Sequence, residues 1–305
     1  MIPRSGRQLR IASGGYVADI ASVGASLRRL RYEGRDLIVP FDADEVRPGS
    51  RGMTLAPWPN RIVDGRYSFD GRTLQLPITE PARGQALHGL VFWAEFADVV
   101  VSDDRVVLGA IIQPQAGYPF RVEVEVEYRV DTDGLHQTVT GRNVGEDAAP
   151  WGTGPHPYLV AGKEGSVDAW MLHLPASSVL TVTPDRLSPV ALETVEDHLG
   201  WDFRTPRRIA DTFIDHAFTD LARDGEGQAR VELRSAEGSG VAMVWGPECP
   251  WVQIHTADTK DAATNRIGLA VEPMTCAPDA FNSGDGLITL QQGDAHAASW
   301  SIVAL

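Results

Sequence analysis

Apolar and polar residues alternate with a period of two along much of this chain. In residues 120–130 every even position is apolar and every odd position is charged. Such alternation predicts an antiparallel strand with one buried face and one solvated face. Turn-forming residues follow at 131–134, and residues 135–140 are predicted to return beside the first strand. The same pattern predicts a second hairpin over residues 66–76, centred on Asp70 and Gly71.

Short strands with frequent turns are predicted throughout the rest of the chain. They cover residues 15–20, 26–32, 98–102, 105–111, 230–234, 241–245, 251–255 and 297–303. One or two helical turns are expected only at residues 191–199, starting near Ser188 or Pro189. No internal repeat or linker interrupts the pattern. This organisation predicts an all-β fold, a sandwich or a barrel, as a single domain over residues 1–305.

Composition and charge narrow the classes of partner. The chain has 305 residues, 27 basic and 41 acidic, for a formal net charge of −14. An acidic surface repels phosphate backbones and anionic lipid, which argues against nucleic acid and membrane partners. Cys249 and Cys276 are the only cysteines, which suits a reducing compartment. Without an apolar signal region or a spanning segment, the chain is expected to be cytoplasmic.

His156 is the most informative single residue, because it lies between Pro155 and Pro157. Proline fixes φ and removes a backbone donor, so this segment suits neither a helix interior nor a central strand. A stiff loop would then hold the imidazole at a set angle. A histidine held in this way is a candidate proton donor or acceptor. The alternative is a histidine that caps a turn by hydrogen bonding to the backbone.

Further polar residues lie at or near the ends of predicted strands. Asn60 and Arg61 follow a Pro- and Trp-rich loop, and His88 precedes a glycine. Asp215 lies in an apolar stretch, and Glu272 ends an apolar run. A partly desolvated carboxylate is a stronger base, and a buried one needs a partner. Taken singly, each residue fits a structural or solvated role at least as well, and for His88 and Glu272 that interpretation is favoured.

Together these residues resemble the aldose 1-epimerase (galactose mutarotase) family over most of the chain. The resemblance is carried by the ordered segments Asn60-Arg-Ile, Leu87-His-Gly89, His156-Pro-Tyr158, Asp215-His-x-Phe218 and Val271-Glu-Pro. The family's common central motif has Asn before the histidine and Ser-Tyr-Phe-Asn after it. Here Pro155 precedes the histidine and Pro157-Tyr-Leu follows it, which resembles a divergent branch.

The resemblance implies a large antiparallel β-sandwich, the galactose mutarotase-like supersandwich, with a sugar cleft on its concave sheet. It implies an isomerase that interconverts the α and β anomers of a free hexose, with Glu272 as base and His156 as acid. The imidazolium form of His156 would be stabilised by nearby carboxylates. Binding roles are implied for Arg61, His88 and Asp215, and weaker ones for Asn60 and Gln253.

The resemblance implies no metal and no organic cofactor, and the histidines lack the spacing of a His-x-x-x-His site. The expected partner is an aldohexose monosaccharide. Monomer and homodimer both remain open, and no site role is assigned to His136 or His216.

Three rival functions remain open at this point. A hexose-6-phosphate 1-epimerase would need extra cations at the cleft, for which Arg51, Arg66 and Arg83 are candidates. A non-catalytic carbohydrate-binding protein would not need both His156 and Glu272. A glycosidase would use two carboxylates, for which Asp215 and Glu272 are candidates.

Overall fold

The computed structural model describes residues 2–162 and 166–305, and its regular structure is almost entirely β. The strands of the first half are β1 Gln8–Ser13, β2 Tyr16–Ala21, β3 Ser26–Tyr32, β4 Arg35–Asp36, β5 Thr54–Leu55, β6 Arg61–Ile62, β7 Arg66–Phe69, β8 Arg72–Gln75, β9 Ala86–Leu87, β10 Ala97–Val101, β11 Arg105–Ile112, β12 Val122–Val130, β13 Leu135–Asn143, β14 Ala149–Trp151, β15 Gly154–Pro155 and β16 Tyr158–Leu159. Those that follow are β17 Met171–His173, β18 Ala176–Val182, β19 Pro189–Thr194, β20 Arg207–Arg208, β21 Asp215–Leu221, β22 Ala229–Arg234, β23 Gly240–Trp245, β24 Trp251–His255, β25 Leu269–Met274, β26 Ile288–Leu290 and β27 Ala295–Ala304. The described helical segments are short: α1 Ala280–Ser283 and the 3₁₀ turns Val63–Gly65, Val167–Ala169, Val195–Asp197 and Leu199–Trp201.

A nine-stranded antiparallel sheet forms one layer, in the order β10-β11-β12-β13-β27-β23-β22-β17-β20. The strongest alternating segment lies in this sheet, where β12 pairs with β13 and Val126 faces Val139. The even-numbered apolar residues of β12 are buried, whereas Glu123 and Glu125 are exposed. The predicted hairpin is therefore confirmed, since the alternation matches a sheet with one buried face.

A six-stranded antiparallel sheet forms the second layer, in the order β16-β25-β24-β21-β18-β19. Its inward residues, such as Phe218, Ile254 and Val271, belong to the same core cluster as Val124 of the first sheet. The two layers share one hydrophobic core, which confirms the large β-sandwich. Because side chains alternate along a strand, the other face of this sheet is free to carry polar groups.

Short two-stranded pairs frame one edge of that outer face. β15 pairs with β5, which anchors the segment before His156. β6 pairs with β9, which places Arg61 opposite Leu87 and close to His88. These small pairs bring the proline-bracketed loop and two N-terminal loops beside β24 and β25.

The predicted strands coincide with observed ones to within about three residues, but the predicted helix at 191–199 is wrong. Residues Pro189–Thr194 form β19, which pairs with β18 so that Leu192 faces Leu180. Only 3₁₀ turns follow, at Val195–Asp197 and Leu199–Trp201. Pairing with β18 supplies cross-strand hydrogen bonds, whereas an isolated helix of this length is marginal. In the part of the chain that the structure describes, no helix is long and apolar enough to cross a membrane.

Candidate active site

A polar cavity of about 270 Å³ opens on the outer face of the six-stranded sheet. All seven residues singled out from the sequence line it: Asn60, Arg61, His88, His156, Asp215, Gln253 and Glu272. They come from six separate parts of the chain, so the fold brings together what the sequence leaves far apart. Their chemical roles remain predictions.

His156 is held by backbone contacts on two sides. Its N–H donates to the Met53 carbonyl (3.1 Å), and its own carbonyl accepts from the Gly52 N–H (2.8 Å). Gly154 allows close approach to β25, since a Cβ there would lie 2.5 Å from the Pro273 carbonyl oxygen. His156 therefore lies in a short loop between β15 and β16, and these contacts hold it beside the strand that carries Glu272.

His156 and Glu272 are in direct contact at the floor of the cavity. His156 Nε2 lies 3.3 Å from Glu272 Oε1, and the side chains are only 6% and 2% exposed. The other carboxylate oxygen, Oε2, has no hydrogen-bond partner among the described residues. The pair thus joins an imidazole to a carboxyl group that has one oxygen free for a ligand.

Burial shifts the pKa values of the pair in opposite directions. Desolvation, reinforced by the charge of Asp215, raises the pKa of Glu272 well above its usual value. Desolvation, with a smaller effect from His255, lowers the pKa of His156 to about 3. Desolvation therefore favours a carboxylic acid beside a neutral imidazole. This differs from the expected imidazolium, because the cost of burying the charges outweighs the attraction of nearby carboxylates.

Asp215 forms a second polar group across the sheet from Glu272. Gln253 Nε2 donates to Asp215 Oδ1 (2.7 Å), and Gln253 also lies directly opposite Glu272 in the pairing of β24 with β25. His255 Nδ1 lies 3.7 Å from Asp215 Oδ2. Side chains of Asp215, Gln253, His255 and Glu272 thus form a continuous polar patch suited to several hydroxyl groups.

His88 is positioned by a loop with left-handed backbone geometry. Asn60 and His88 have φ values of 55° and 63°, and the His88 N–H donates to the Asn60 carbonyl (2.8 Å). Gly89 follows with φ 83°, where a Cβ would lie 2.0 Å from the Ala56 carbonyl oxygen. The His88 ring stands edge-on to the His156 ring, with centroids 5.0 Å apart. The loop thereby delivers a second buried imidazole to the His156–Glu272 pair.

Arg61 lines the cavity, and its guanidinium is hydrogen-bonded to a neighbouring carboxylate. Nε and Nη2 donate to the two carboxylate oxygens of Glu80, at 2.8 and 3.1 Å. Arg83 Nη1 also donates to Glu80, at 3.0 Å. Of the cations proposed for a phosphate, Arg83 lines the cavity, whereas Arg51 and Arg66 do not.

Sequence reasoning missed Glu80, Tyr158, His255 and Asp258, which also line the cavity. Strand periodicity would have identified His255, since it lies two residues after Gln253 and therefore on the same face of β24. His136 and His216 lie elsewhere. His136 Nδ1 is 2.8 Å from Ser301 Oγ on the neighbouring strand, and His216 packs against Trp201 with ring centroids 4.0 Å apart.

Comparison with known proteins identifies the family. The sequence profile described as aldose 1-epimerase matches residues 7–302. The chain belongs to the aldose 1-epimerase family. Uncharacterized protein YihR of Escherichia coli is 36% identical over 299 residues, covering 98% of this chain and 93% of that protein. An aldose 1-epimerase of Escherichia coli is 29% identical over 206 residues, covering 65% of this chain and 57% of its own length.

Solved structures of other proteins share the fold of this member of the aldose 1-epimerase family. A GalM/aldose epimerase homologue from C. elegans superposes with a TM-score of 0.86 at 19% identity, covering 98% of each chain. A galactose mutarotase-like protein from Clostridium acetobutylicum superposes with a TM-score of 0.80 at 16% identity, covering 97% of this chain and 94% of its own. Low identity with a shared fold fits a divergent branch of the family.

Proposed function

We propose that this protein interconverts the α and β anomers of a free aldohexose by opening and closing the sugar ring. The observation that carries the proposal is the buried contact of 3.3 Å between His156 Nε2 and Glu272 Oε1 at the floor of a polar cavity. Ring opening needs one proton removed and another delivered, and this pair supplies both functions side by side.

In the forward step, the carboxylate of Glu272 takes the proton of the C1 hydroxyl while His156 gives a proton to the ring oxygen. The bond between C1 and the ring oxygen breaks, and C1 becomes an aldehyde. Rotation about the C1–C2 bond presents the other face of the carbonyl, and the reverse transfers close the ring.

The pair carries a single proton throughout this cycle. Before opening the proton is on His156, and after opening it is on Glu272. The second arrangement is the neutral pair that desolvation favours. Burial thus stabilises the state that follows ring opening, while contacts from the bound sugar must favour the state before it.

Asp215, Gln253 and His255 are proposed to hold ring hydroxyls, since they form the polar patch beside the pair. Arg61, His88 and Asn60 are proposed to contact the sugar from the opposite wall. Among the described residues that line the cavity, Arg61 and Arg83 both donate to Glu80. Because Glu80 occupies donors of both guanidiniums and Asp215 and Asp258 also line the cavity, the lining favours a neutral sugar over a hexose 6-phosphate.

The test is an anomerisation screen by polarimetry on freshly dissolved α-D-glucose and α-D-galactose, with saturation-transfer NMR on glucose 6-phosphate. The proposal predicts catalytic acceleration over the spontaneous rate with a free hexose and a weaker effect with the phosphate. Sugar binding by calorimetry without acceleration on any sugar would instead indicate a non-catalytic carbohydrate-binding protein.

A further inference from the structure

We propose that His88, His156 and Glu272 bind one divalent transition ion, with Zn²⁺ as the probe, and that the ion blocks the cavity to sugar. The inference that the ion binds is based only on the geometry of these three side chains. Its effect as an inhibitor rests on the proposed function.

The three side chains converge from separate parts of the fold. One ligand atom from each lies within 4.8 Å of the other two, and all three residues are buried. Two ligands at about 2.1 Å from a tetrahedral zinc ion lie about 3.4 Å apart. His156 Nε2 and Glu272 Oε1, at 3.3 Å, already have that separation, and His88 supplies the third ligand atom of the cluster.

These side chains also leave polar atoms without partners. His88 Nδ1, His156 Nδ1 and Glu272 Oε2 are buried and have no hydrogen-bond partner among the described residues. An ion on His156 Nε2 leaves Nδ1 of the same ring without a partner, but the unpaired Oε2 belongs to the carboxylate that would hold the ion. Buried polar groups in folded proteins are normally satisfied, so this oxygen indicates that a ligand completes the site. A sugar hydroxyl and a metal ion both supply what the Glu272 oxygen lacks.

The donor types select the kind of ion. Two imidazole nitrogens and one carboxylate oxygen match the ligands of catalytic zinc sites, which keep a fourth position open. Mg²⁺ and Ca²⁺ prefer sites built entirely from oxygen. The nearby charge of Arg61 opposes a cation, but its guanidinium is paired with Glu80 in a two-point contact. Since the three ligands are far apart in sequence, their spacing carries no sign of this site.

Bound Zn²⁺ would occupy the lone pairs that His156 and Glu272 need for proton transfer. It would also fill the floor of the cavity, so sugar and ion should compete. Protein exposed to transition ions during purification should then show activity that rises when a chelator is added.

The experiment is isothermal calorimetry of ZnCl₂ into untagged protein dialysed against a chelator and then against metal-free buffer. We expect one ion per chain, and affinity at least tenfold weaker in His88→Gln and Glu272→Gln. MgCl₂ should give no specific binding. His198→Gln is the matched control, since His198 contacts Glu193 near the surface outside the cavity, and its affinity should stay within about twofold of the wild type.

Circular dichroism verifies that each variant folds. If Glu272→Gln does not fold, the affinity of His88→Gln alone tests the metal site. Fewer than one ion per chain, or unchanged affinity in the folded variants, overturns the site. Acceleration of anomerisation without Zn²⁺ binding overturns this inference and leaves the proposed function intact. Zn²⁺ binding as expected, in a protein that accelerates no anomerisation, supports the site and contradicts the proposed function.

Discussion

Arg61 and Glu80 form a two-point ion pair at the wall of the cavity, with N–O distances of 2.8 and 3.1 Å. Both side chains are largely buried, at 9% and 13% exposure. The planar fork of arginine matches a carboxylate in this geometry, so Glu80 fixes the direction of the guanidinium. Glu80 therefore acts as a positioning residue for Arg61, a role that the sequence did not reveal.

Replacement of Glu80 by glutamine should release this orientation and leave a buried positive charge poorly compensated. We expect the free energy of unfolding to fall by about 1–3 kcal/mol, because removing one partner of a buried ion pair is costly. KM for the sugar should rise more than kcat falls, since Arg61 is proposed to bind rather than transfer protons. Urea denaturation and steady-state kinetics provide the measurements.

Arg83→Met is the matched control for that prediction. It removes the other guanidinium at Glu80, but Arg83 is 35% exposed and the expected loss is below about 1 kcal/mol. Equal losses in the two variants would contradict the role assigned to the Arg61–Glu80 pair.

Stability should fall as the pH drops below about 6.5, because several histidines are buried in neutral form. Burial lowers the pKa of His156 to about 3 and that of His216 to about 4, and it also lowers that of His88. An unfolded histidine has a pKa near 6.5, so below that pH the unfolded chain binds more protons than the folded one. Stability therefore rises with pH in this range, by up to about 1.4 kcal/mol per pH unit for each histidine.

His216→Phe isolates one of these contributions, because His216 lies outside the cavity and packs against Trp201. Phenylalanine keeps an aromatic contact and cannot be protonated. Between pH 6.5 and 5 the plot of unfolding free energy against pH should become less steep. The decrease in slope should correspond to close to one proton fewer taken up on unfolding. Denaturant titrations at several pH values measure it, and an unchanged slope would refute the buried neutral state of His216.

Gly154→Ala should disturb the contact between the histidine loop and β25. Its Cβ would lie 2.5 Å from the Pro273 carbonyl oxygen, which is rigid backbone next to Glu272. We expect a loss of about 1–3 kcal/mol in stability and up to about 10²-fold in kcat/KM, since small displacements of catalytic groups are costly.

Gly225→Ala is the control for that substitution, because nothing lies within 4 Å of a Cβ at this position. Its stability should change by less than about 0.5 kcal/mol. A tolerated Gly154→Ala, with kinetics equal to those of Gly225→Ala, would show that close packing at Gly154 does not position the pair.

Much of the sheet structure was predictable because the alternation of apolar and charged residues indicates which face of a strand is buried. The valines and glutamates of β12 show which face is buried before any partner strand is known. The segment at 191–199 was mispredicted because its pairing with β18 is a tertiary interaction that local pattern does not record. The order of strands in each sheet likewise depends on long-range pairing.

Seven residues that line the cavity were predictable, but four others and the mutual geometry of the set were not. His156 stood out through its two prolines, most of the others through polar character near predicted strand ends, and Gln253 only through the family resemblance. Glu80 carried no such signal, because its importance comes from contact with Arg61, from which it is separated by the β7–β8 hairpin. The protonation states of His156 and Glu272 could not be predicted either, because their pKa values depend on how deeply the folded chain buries them.

The central claim is that His156 and Glu272 together open the sugar ring, and polarimetry of His156→Gln and Glu272→Gln tests it most directly. Each folded variant should lose about 10²–10⁴-fold in kcat/KM on a sugar that the wild type turns over. His216→Phe, on the opposite face of β21 from Asp215, should stay within about tenfold of the wild type. Wild-type rates in either folded variant of the pair would contradict the account.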